Sequence, residues 1–122
     1  MGRSYDLEDR LVALAAVVCR VAASVRSDWL GSHIAGQLVW CGTSPAANYA
    51  EARSAESKRD FVHKMKVCLK ELRETMVWLQ LLKELGFEAV AGVDGAIQES
   101  NELISIFVAS VATAQGKKKP RP

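Results

Sequence analysis

The sequence predicts an all-α protein, an antiparallel up-down-up-down four-helix bundle, from three observations. Apolar residues recur at spacings of three and four in four segments separated by short polar breaks. No segment shows the period of two that is typical of a half-buried strand. Aromatic residues make up only 7% of the chain, and alanine, valine and leucine dominate, which favours helix packing over a β-sandwich. A length of 122 residues fits one domain, which we place at residues 1–116.

The first helix is predicted from about Asp6 to Val25. Asp6 is a candidate N-cap, and acidic residues in the first turn favour the helix dipole. The apolar positions form a narrow stripe on one side, as in helix bundles. They are Leu7, Leu11, Leu14, Val18, Val21 and Val25.

The second helix begins near Asp28 or Trp29 and contains Pro45. Proline inside a helix removes one hydrogen bond and clashes with the preceding turn. Two outcomes remain open. The helix is kinked near Pro45, or it is broken there, with Ser44 capping a new helix and Pro45 in its first position.

The third helix is predicted from about Lys58 to Leu85, because Ser57 followed by Asp60 resembles a capping box. Gly86 has the place and residue type of a residue that ends a helix. The inward side is predicted to carry Phe61, Met65, Cys68, Leu69, Leu72, Met76 and Leu79.

The fourth helix is less sharply bounded. It starts between Ala89 and Gly95, with Asp94 as a candidate cap, and Gly116 ends the pattern. Its shared apolar side is predicted to hold Ile97, Ile104, Phe107, Val108 and Val111. Residues 117–122 form a short basic tail that we expect to be disordered.

Charge and cysteine usage narrow the class of protein. The net charge is +2, from 16 basic and 14 acidic residues, and four of the basic residues lie in the tail. Nucleic-acid affinity must therefore come from local patches.

The charged N-terminal ten residues are unlike a signal peptide, and no apolar run is long enough to span a membrane. Three isolated cysteines are typical of small buried groups in a reducing cytoplasm.

One basic stripe is predicted on the third helix, and this name is kept below for its five residues. Arg59, His63, Lys66, Lys70 and Arg73 recur at spacings of four and three, so they align on one side of the helix. They are the candidate phosphate contacts for RNA or DNA. The alternative is a solvated helix side whose charges pair with acids of a neighbouring helix or subunit.

The tail is the second basic element. Its charged residues are Lys117, Lys118, Lys119 and Arg121. The tail either is a flexible nucleic-acid-binding arm or only keeps the chain in solution.

Extra apolar positions on the third and fourth helices predict a second buried surface. A bundle of this size needs one apolar stripe per helix, and apolar residues beyond it indicate self-association, which is usually symmetric. The candidate interface residues are Val77, Trp78, Leu81, Leu103 and Ile106. The alternative is partial burial of these residues under loops.

The sequence does not predict catalysis, a metal site or a cofactor. His33 and His63 have no cysteine or carboxylate at metal-ligand spacing. No glycine-rich phosphate loop, no Glu-x-x-His pair and no nucleophile-elbow motif occurs. We therefore assign no catalytic residue and expect a protein that is not an enzyme.

Four segments together resemble a known family. Pro45 to Glu51 resembles the pattern P-x-N-I-A-E-G, and Leu30 to Ile34 resembles L-x-x-Q-I. Lys58 to Phe61 and Leu69 to Thr75 resemble K-x-F and L-x-E-L-x-E-T. These patterns are similar to those of the four-helix-bundle family encoded in intervening sequences of bacterial large-subunit ribosomal RNA genes. The resemblance covers roughly residues 7–111, with Tyr49 at a usually aliphatic position and Ala52 at a usual glycine.

The resemblance implies a cytoplasmic bacterial bundle that assembles into a ring-shaped homo-oligomer, with a pentamer as the expected form. Relatives include the accessory variability protein of diversity-generating retroelements, a basic partner of nucleic acid and of a reverse transcriptase. The family has no assigned enzymatic activity. The expected function is therefore a non-enzymatic, self-assembling bundle that binds nucleic acid weakly. The alternative is a protein–protein adaptor that does not bind nucleic acid.

Overall fold

The computed structural model describes residues 3–87 and 90–117, with side chains from residue 7 onward, and it confirms the all-α prediction. Helix α1 spans Arg3–Val25, α2 spans Trp29–Arg53, α3 spans Lys58–Leu82 and α4 spans Val93–Ala114. A short turn, Lys83–Phe87, follows α3 and bends at Gly86, whose backbone is not helical. Because α1 begins at Arg3, Asp6 lies inside the helix and is not its cap.

Two of the predicted helix starts are confirmed by their capping bonds. The backbone N–H of Gly31 donates to the Asp28 side chain at 2.8 Å, and that of Asp60 donates to the Ser57 hydroxyl at 3.0 Å. Both cap residues have extended backbone, so their side-chain oxygens can satisfy N–H groups of the first turn. Short polar side chains therefore set where α2 and α3 begin.

Helix α2 continues through Pro45 without a break. Of the two predicted alternatives the break is wrong, since one helix runs from Trp29 to Arg53 with the proline inside it, and the kink stays a prediction. Pro45 is buried, and its carbonyl oxygen accepts a hydrogen bond from the Cys68 thiol at 3.4 Å. Packing against α3 thus holds a residue that is unfavourable in an isolated helix.

Glycine ends α3 and precedes α4. Gly86 has φ of 95°, a left-handed conformation in which a Cβ would be strained. Gly92 has φ of 98° and occupies the N-cap of α4, which has no side-chain cap. The expectation that Asp94 caps α4 is therefore wrong. Asp94 instead forms an ion pair with Lys83, with 3.0 Å between Oδ1 and Nζ, and so links α4 to the end of α3.

Contacts between neighbouring helices show that they run in opposite directions. On α1 and α2, Val18 lies beside Gly42 while Arg53 pairs with Glu8 at 2.9 Å. On α2 and α3, Lys64 pairs with Glu51 at 2.6 Å while Trp78 packs against His33. Arg10 of α1 reaches Glu99 and Glu102 of α4. The four helices therefore enclose one core, in which α1 also contacts α4.

The core matches the predicted stripes of α1 and α3 more closely than that of α4. Its largest fully buried side chains are Phe107, Leu11, Ile34, Leu38, Leu72, Leu79, Leu82, Leu103, Val18, Val21, Val25 and Val93. Tyr49 packs edge-on against Phe107, with ring centroids 5.9 Å apart. Polar Thr75 is also buried, and its hydroxyl donates to the Glu71 carbonyl at 2.8 Å.

The predicted inward side of α4 is rotated relative to the structure. The buried positions are Val93, Ala96, Ser100, Leu103, Phe107 and Val111. Val108 is 42% exposed, and Ile97 and Ile104 are only partly buried. The small residues Ala96 and Ser100 continue the buried line that Leu103 and Phe107 define, whereas the prediction followed only large apolar residues.

None of the described helices combines the length and apolar character that crossing a bilayer requires.

Close packing of α1 on α2 at Gly42 gives the first prediction. A Cβ at Gly42 would lie 2.6 Å from Cγ1 of buried Val18, so Gly42→Ala should destabilise the fold by about 1–3 kcal/mol. Gly36 lies on the same helix with no neighbouring atom within 4 Å of such a Cβ. Gly36→Ala should therefore stabilise by up to about 1 kcal/mol. Thermal unfolding of both variants checks this, and equal melting temperatures would contradict the close approach.

Candidate functional site

The basic stripe is fully displayed on the outward side of α3. Arg59, His63, Lys66, Lys70 and Arg73 are all exposed. The buried residues of α3 lie on its opposite side, from Met65 to Leu82. The 3.6-residue repeat that faces one side of α3 into the core therefore directs these five side chains into solvent.

The stripe cations are unpaired within the described part of the chain. The ion pairs there use Arg10, Arg53, Lys64 and Lys83. Lys64 lies one residue from His63 but faces α2, where its hydrogen bond to Glu51 raises the pKa of its ammonium. Position on the helix thus separates basic side chains that hold the bundle together from those left free.

The tail falls almost entirely outside the described residues. Lys117 is described and exposed. The predictions for Lys118, Lys119 and Arg121, including disorder of the tail, lie outside the described residues.

The five candidate interface residues do not form one surface. Val77 is 60% exposed and Leu81 is 37% exposed, both on α3. Leu103 is 0% exposed in the core of a single chain, so its assignment to an oligomer interface is wrong. Ile106 is partly buried and packs against the core. The prediction placed Leu103 outside because it used the wrong inward side of α4.

Trp78 is held inside the seam between α2 and α3. It is partly buried against the core, and its ring meets His33 edge-on with centroids 5.8 Å apart. Its indole nitrogen is buried without a hydrogen-bond partner among the described residues. Only Val77 and Leu81 therefore remain available to a partner as predicted.

Sequence reasoning missed the most exposed large apolar side chains among the described residues. Trp29 is 81% exposed and Trp40 is 78% exposed, and Val39 beside Trp40 is 41% exposed. Trp29, Gly36 and Trp40 lie seven and four residues apart, which puts them on one side of α2. We call these residues, with Val39, the tryptophan face.

A signal for the tryptophan face was present in the sequence. No Asp, Glu, Lys or Arg occurs from Trp29 to Ala50, although charged residues make up 25% of the chain. A helix with apolar residues on all sides is normally buried on all sides. Helix α2 nevertheless has one side in solvent in the single chain.

An open apolar groove lies between α1 and α4. It has a volume of about 340 Å³. Small side chains leave this space, since Ala13 on α1 faces Gly92, Gly95 and Ala96 on α4. The remaining lining residues are Leu14, Val17 and Glu99. We call this feature the α1–α4 groove.

An ion-pair network closes one end of the α1–α4 groove. The Arg10 guanidinium donates two hydrogen bonds of 2.8 Å to the Glu99 carboxylate and one of 3.0 Å to Glu102. The bond from Arg10 lowers the pKa of Glu99, and the two carboxylates raise the pKa of Arg10. Glu99, the charged residue of the groove lining, is thus already neutralised by its partner.

The described residues hold two buried cysteines and no group of metal ligands. Burial raises the pKa of the Cys41 thiol to about 11 and that of Cys68 to about 12, so both stay protonated and unreactive near neutral pH. Within the same residues no three His, Cys, Asp or Glu side chains group as metal ligands.

The chain belongs to a family of helical-bundle proteins, the 23S rRNA-intervening sequence proteins. The family model matches residues 6–109, which is most of the chain. The resemblance seen in the sequence is thereby confirmed. No curated protein matches the sequence.

A solved structure shows the same fold. It is the crystal structure of a protein of unknown function from the S23 ribosomal protein family of Bacteroides thetaiotaomicron. The TM-score is 0.81 at 24% sequence identity, and the match covers 90% of this chain and 98% of that one. At this identity the similarity supports the fold and says nothing of ligand or assembly.

Two carboxyl groups with opposite pKa shifts give the second prediction. Burial, with a contribution from nearby Glu74, raises the pKa of Glu71. Ionised Glu71 therefore opposes folding at neutral pH, whereas ionised Glu99 favours it through Arg10. Glu71→Gln should raise the melting temperature at pH 7, with a gain that vanishes as pH falls below the unfolded value of about 4.3. Glu99→Gln should lower it at pH 7.

The loss caused by Glu99→Gln should fade only as pH falls through the folded pKa of Glu99, which lies below its usual range. Melting temperatures of the wild type and both variants between pH 3 and 8 test this. Parallel curves for the three proteins would contradict the assignment of opposite shifts.

Proposed function

We propose that this protein is a non-enzymatic, self-assembling helical bundle, a ring-like homo-oligomer that binds nucleic acid weakly through the basic stripe. The observation that carries nucleic-acid binding is the exposure of Arg59, Lys66, Lys70 and Arg73 without ion-pair partners in the described residues. A bound phosphate would supply the negative charge that these four side chains do not contact in the single chain.

Length and spacing of the stripe suit a phosphate backbone. From Arg59 to Arg73 the helix rises about 21 Å at 1.5 Å per residue. Side chains three and four residues apart lie about 5–6 Å from one another, so the row presents several cations to one phosphate backbone. The proposed contacts are to phosphates, so binding is expected to depend on charge and little on sequence.

Self-assembly would raise the overall affinity for nucleic acid above that of one subunit. A ring repeats the stripe once per subunit, and several weak contacts on one strand add through a high effective concentration. A pentamer is the form that the family resemblance implies. Partners in this proposal are therefore further copies of the chain and RNA or DNA, with no cofactor.

A second candidate function is supported by the exposed apolar residues. Trp29, Trp40 and Val77 could form the binding surface of an adaptor for another protein, such as a reverse transcriptase, without any nucleic acid. Apolar binding persists at high salt, whereas phosphate binding falls steeply with salt. Persistence of a complex at high salt therefore favours the adaptor.

Charge reversal of the stripe tests the proposal. Lys66→Glu/Lys70→Glu should weaken binding to mixed RNA and DNA by at least tenfold at low salt and reduce the slope of affinity against salt concentration. Fluorescence anisotropy with a labelled oligonucleotide across a salt series measures both.

The matched control is Arg20→Glu/Lys83→Glu, which makes the same change in net charge at exposed positions outside the stripe. Equal losses in the two variants would mean that total charge matters and the stripe does not. Absence of binding by the wild type at low salt would exclude the nucleic-acid function.

Removing residues 117–122 gives a separate prediction for the tail. If the tail acts as an arm, its loss should weaken binding by a few-fold and reduce the salt slope, because up to four cations are removed. The melting temperature should not change, since Lys117 is exposed. An unchanged affinity would show that the tail only keeps the chain in solution.

A further inference from the structure

We propose that subunits assemble head to tail, with the tryptophan face of one copy covering the α1–α4 groove of the next. The inference rests on the self-assembly in the proposed function and names the two surfaces that meet. Helix α2 supplies one surface, and α1 with α4 supplies the other, so each chain carries both halves of the contact.

The tryptophan face exposes a large apolar area on a side of α2 that holds no charged residue, with Arg26, just after α1, beside Trp40 at its edge. A buried tryptophan removes about 150–250 Å² from water. Trp29 and Trp40, at 81% and 78% exposure, therefore leave on the order of 300 Å² of aromatic surface in solvent. Their Cα atoms lie about 16 Å apart along α2, and no charged residue lies between them in the sequence. Such a surface suits an uncharged, apolar partner.

The α1–α4 groove has the matching character. Its lining is apolar apart from Glu99, and its small residues leave about 340 Å³ open. The Glu99 carboxylate already receives two hydrogen bonds from Arg10. Covering the groove with an indole would therefore bury no unpaired charge, which is the usual obstacle to closing a polar cleft.

A second copy of the chain is the occupant that satisfies both surfaces at once. The two surfaces lie on different helices of one molecule, so contact between unlike surfaces leaves a free surface at each end and continues until a ring closes. Helix α2 is about 37 Å long, enough for a standard interface of about 800 Å² per partner. The contact uses α1, α2 and α4, and therefore leaves the basic stripe on α3 open to solvent.

Two variants with opposite defects test the contact. Trp29→Ala/Trp40→Ala removes the indoles and leaves the groove intact. Gly95→Leu fills the groove and leaves the indoles intact. A Cβ at Gly95 meets no atom within 4 Å, so the new side chain begins in open space in the single chain. Each variant should weaken self-association by on the order of thirtyfold or more, as loss of a central aromatic contact does.

Matched controls separate the contact from general effects. Gly95→Ala adds only a methyl group to the groove and should keep the wild-type oligomer. Val108→Ala truncates another exposed apolar residue, on α4 and 42% exposed, and should also keep the wild-type oligomer. Circular dichroism and melting temperature confirm that all four variants are folded.

Mixing gives the decisive measurement. In an equimolar mixture the first variant offers an intact groove and the second offers intact tryptophans, so one contact forms and assembly stops at a heterodimer. Sedimentation velocity should then show a species of twice the 13.3 kDa chain mass, absent from either variant alone.

Three outcomes would overturn the proposal, and they differ in what else they remove. A wild-type oligomer that survives both variants leaves self-assembly standing and rejects these surfaces. Loss of assembly with the tryptophan variant but not with Gly95→Leu indicates contact between like faces. A wild-type chain that is monomeric at all concentrations rejects self-assembly too. Nucleic-acid binding is measured separately, so the assignment of the basic stripe is tested independently of these results.

Discussion

The packing of α2 between α1 and α3 is the constraint on which the rest of the structure depends. At Gly42 the absence of a side chain lets α2 lie directly on Val18 of α1. Three residues later the Pro45 carbonyl oxygen accepts a hydrogen bond from the Cys68 thiol of α3. These contacts fix the rotation of α2 about its own axis. The rotation that buries Ile34, Leu38 and Tyr49 necessarily turns Trp29 and Trp40 outward.

Basic and acidic residues are unevenly distributed between the helices. Helices α2 and α3 together hold seven basic and four acidic residues, while α1 and α4 hold three basic and six acidic residues. Ion pairs at the seams use part of each set, as Lys64 with Glu51 and Arg10 with Glu99 show. What remains is a basic row along α3 and an uncharged side of α2, two surfaces of different chemistry on neighbouring helices.

Part of the candidate site could be predicted from the sequence, and part could not. The basic stripe depends only on the helical repeat within α3, and all five of its residues are exposed as that repeat predicts. The candidate interface also required the inward side of α4. Ile97, Phe107 and Val108 suggested one side, but Ala96, Ser100 and Leu103 face the core. Small residues carry little weight in an apolar pattern, yet close helix packing selects them, so Leu103 was misplaced.

The sequence by itself determined the helices and two of their starts. Capping by Asp28 and Ser57, and the stop at Gly86, are local effects of a few neighbouring residues. Only the tertiary structure decided that α2 passes through Pro45, that Trp78 lies in a seam while Trp29 and Trp40 stay outside, and that α1 and α4 leave a groove. Each of these depends on which side of a helix meets another helix, and that choice minimises exposed apolar area and clashes over the whole bundle.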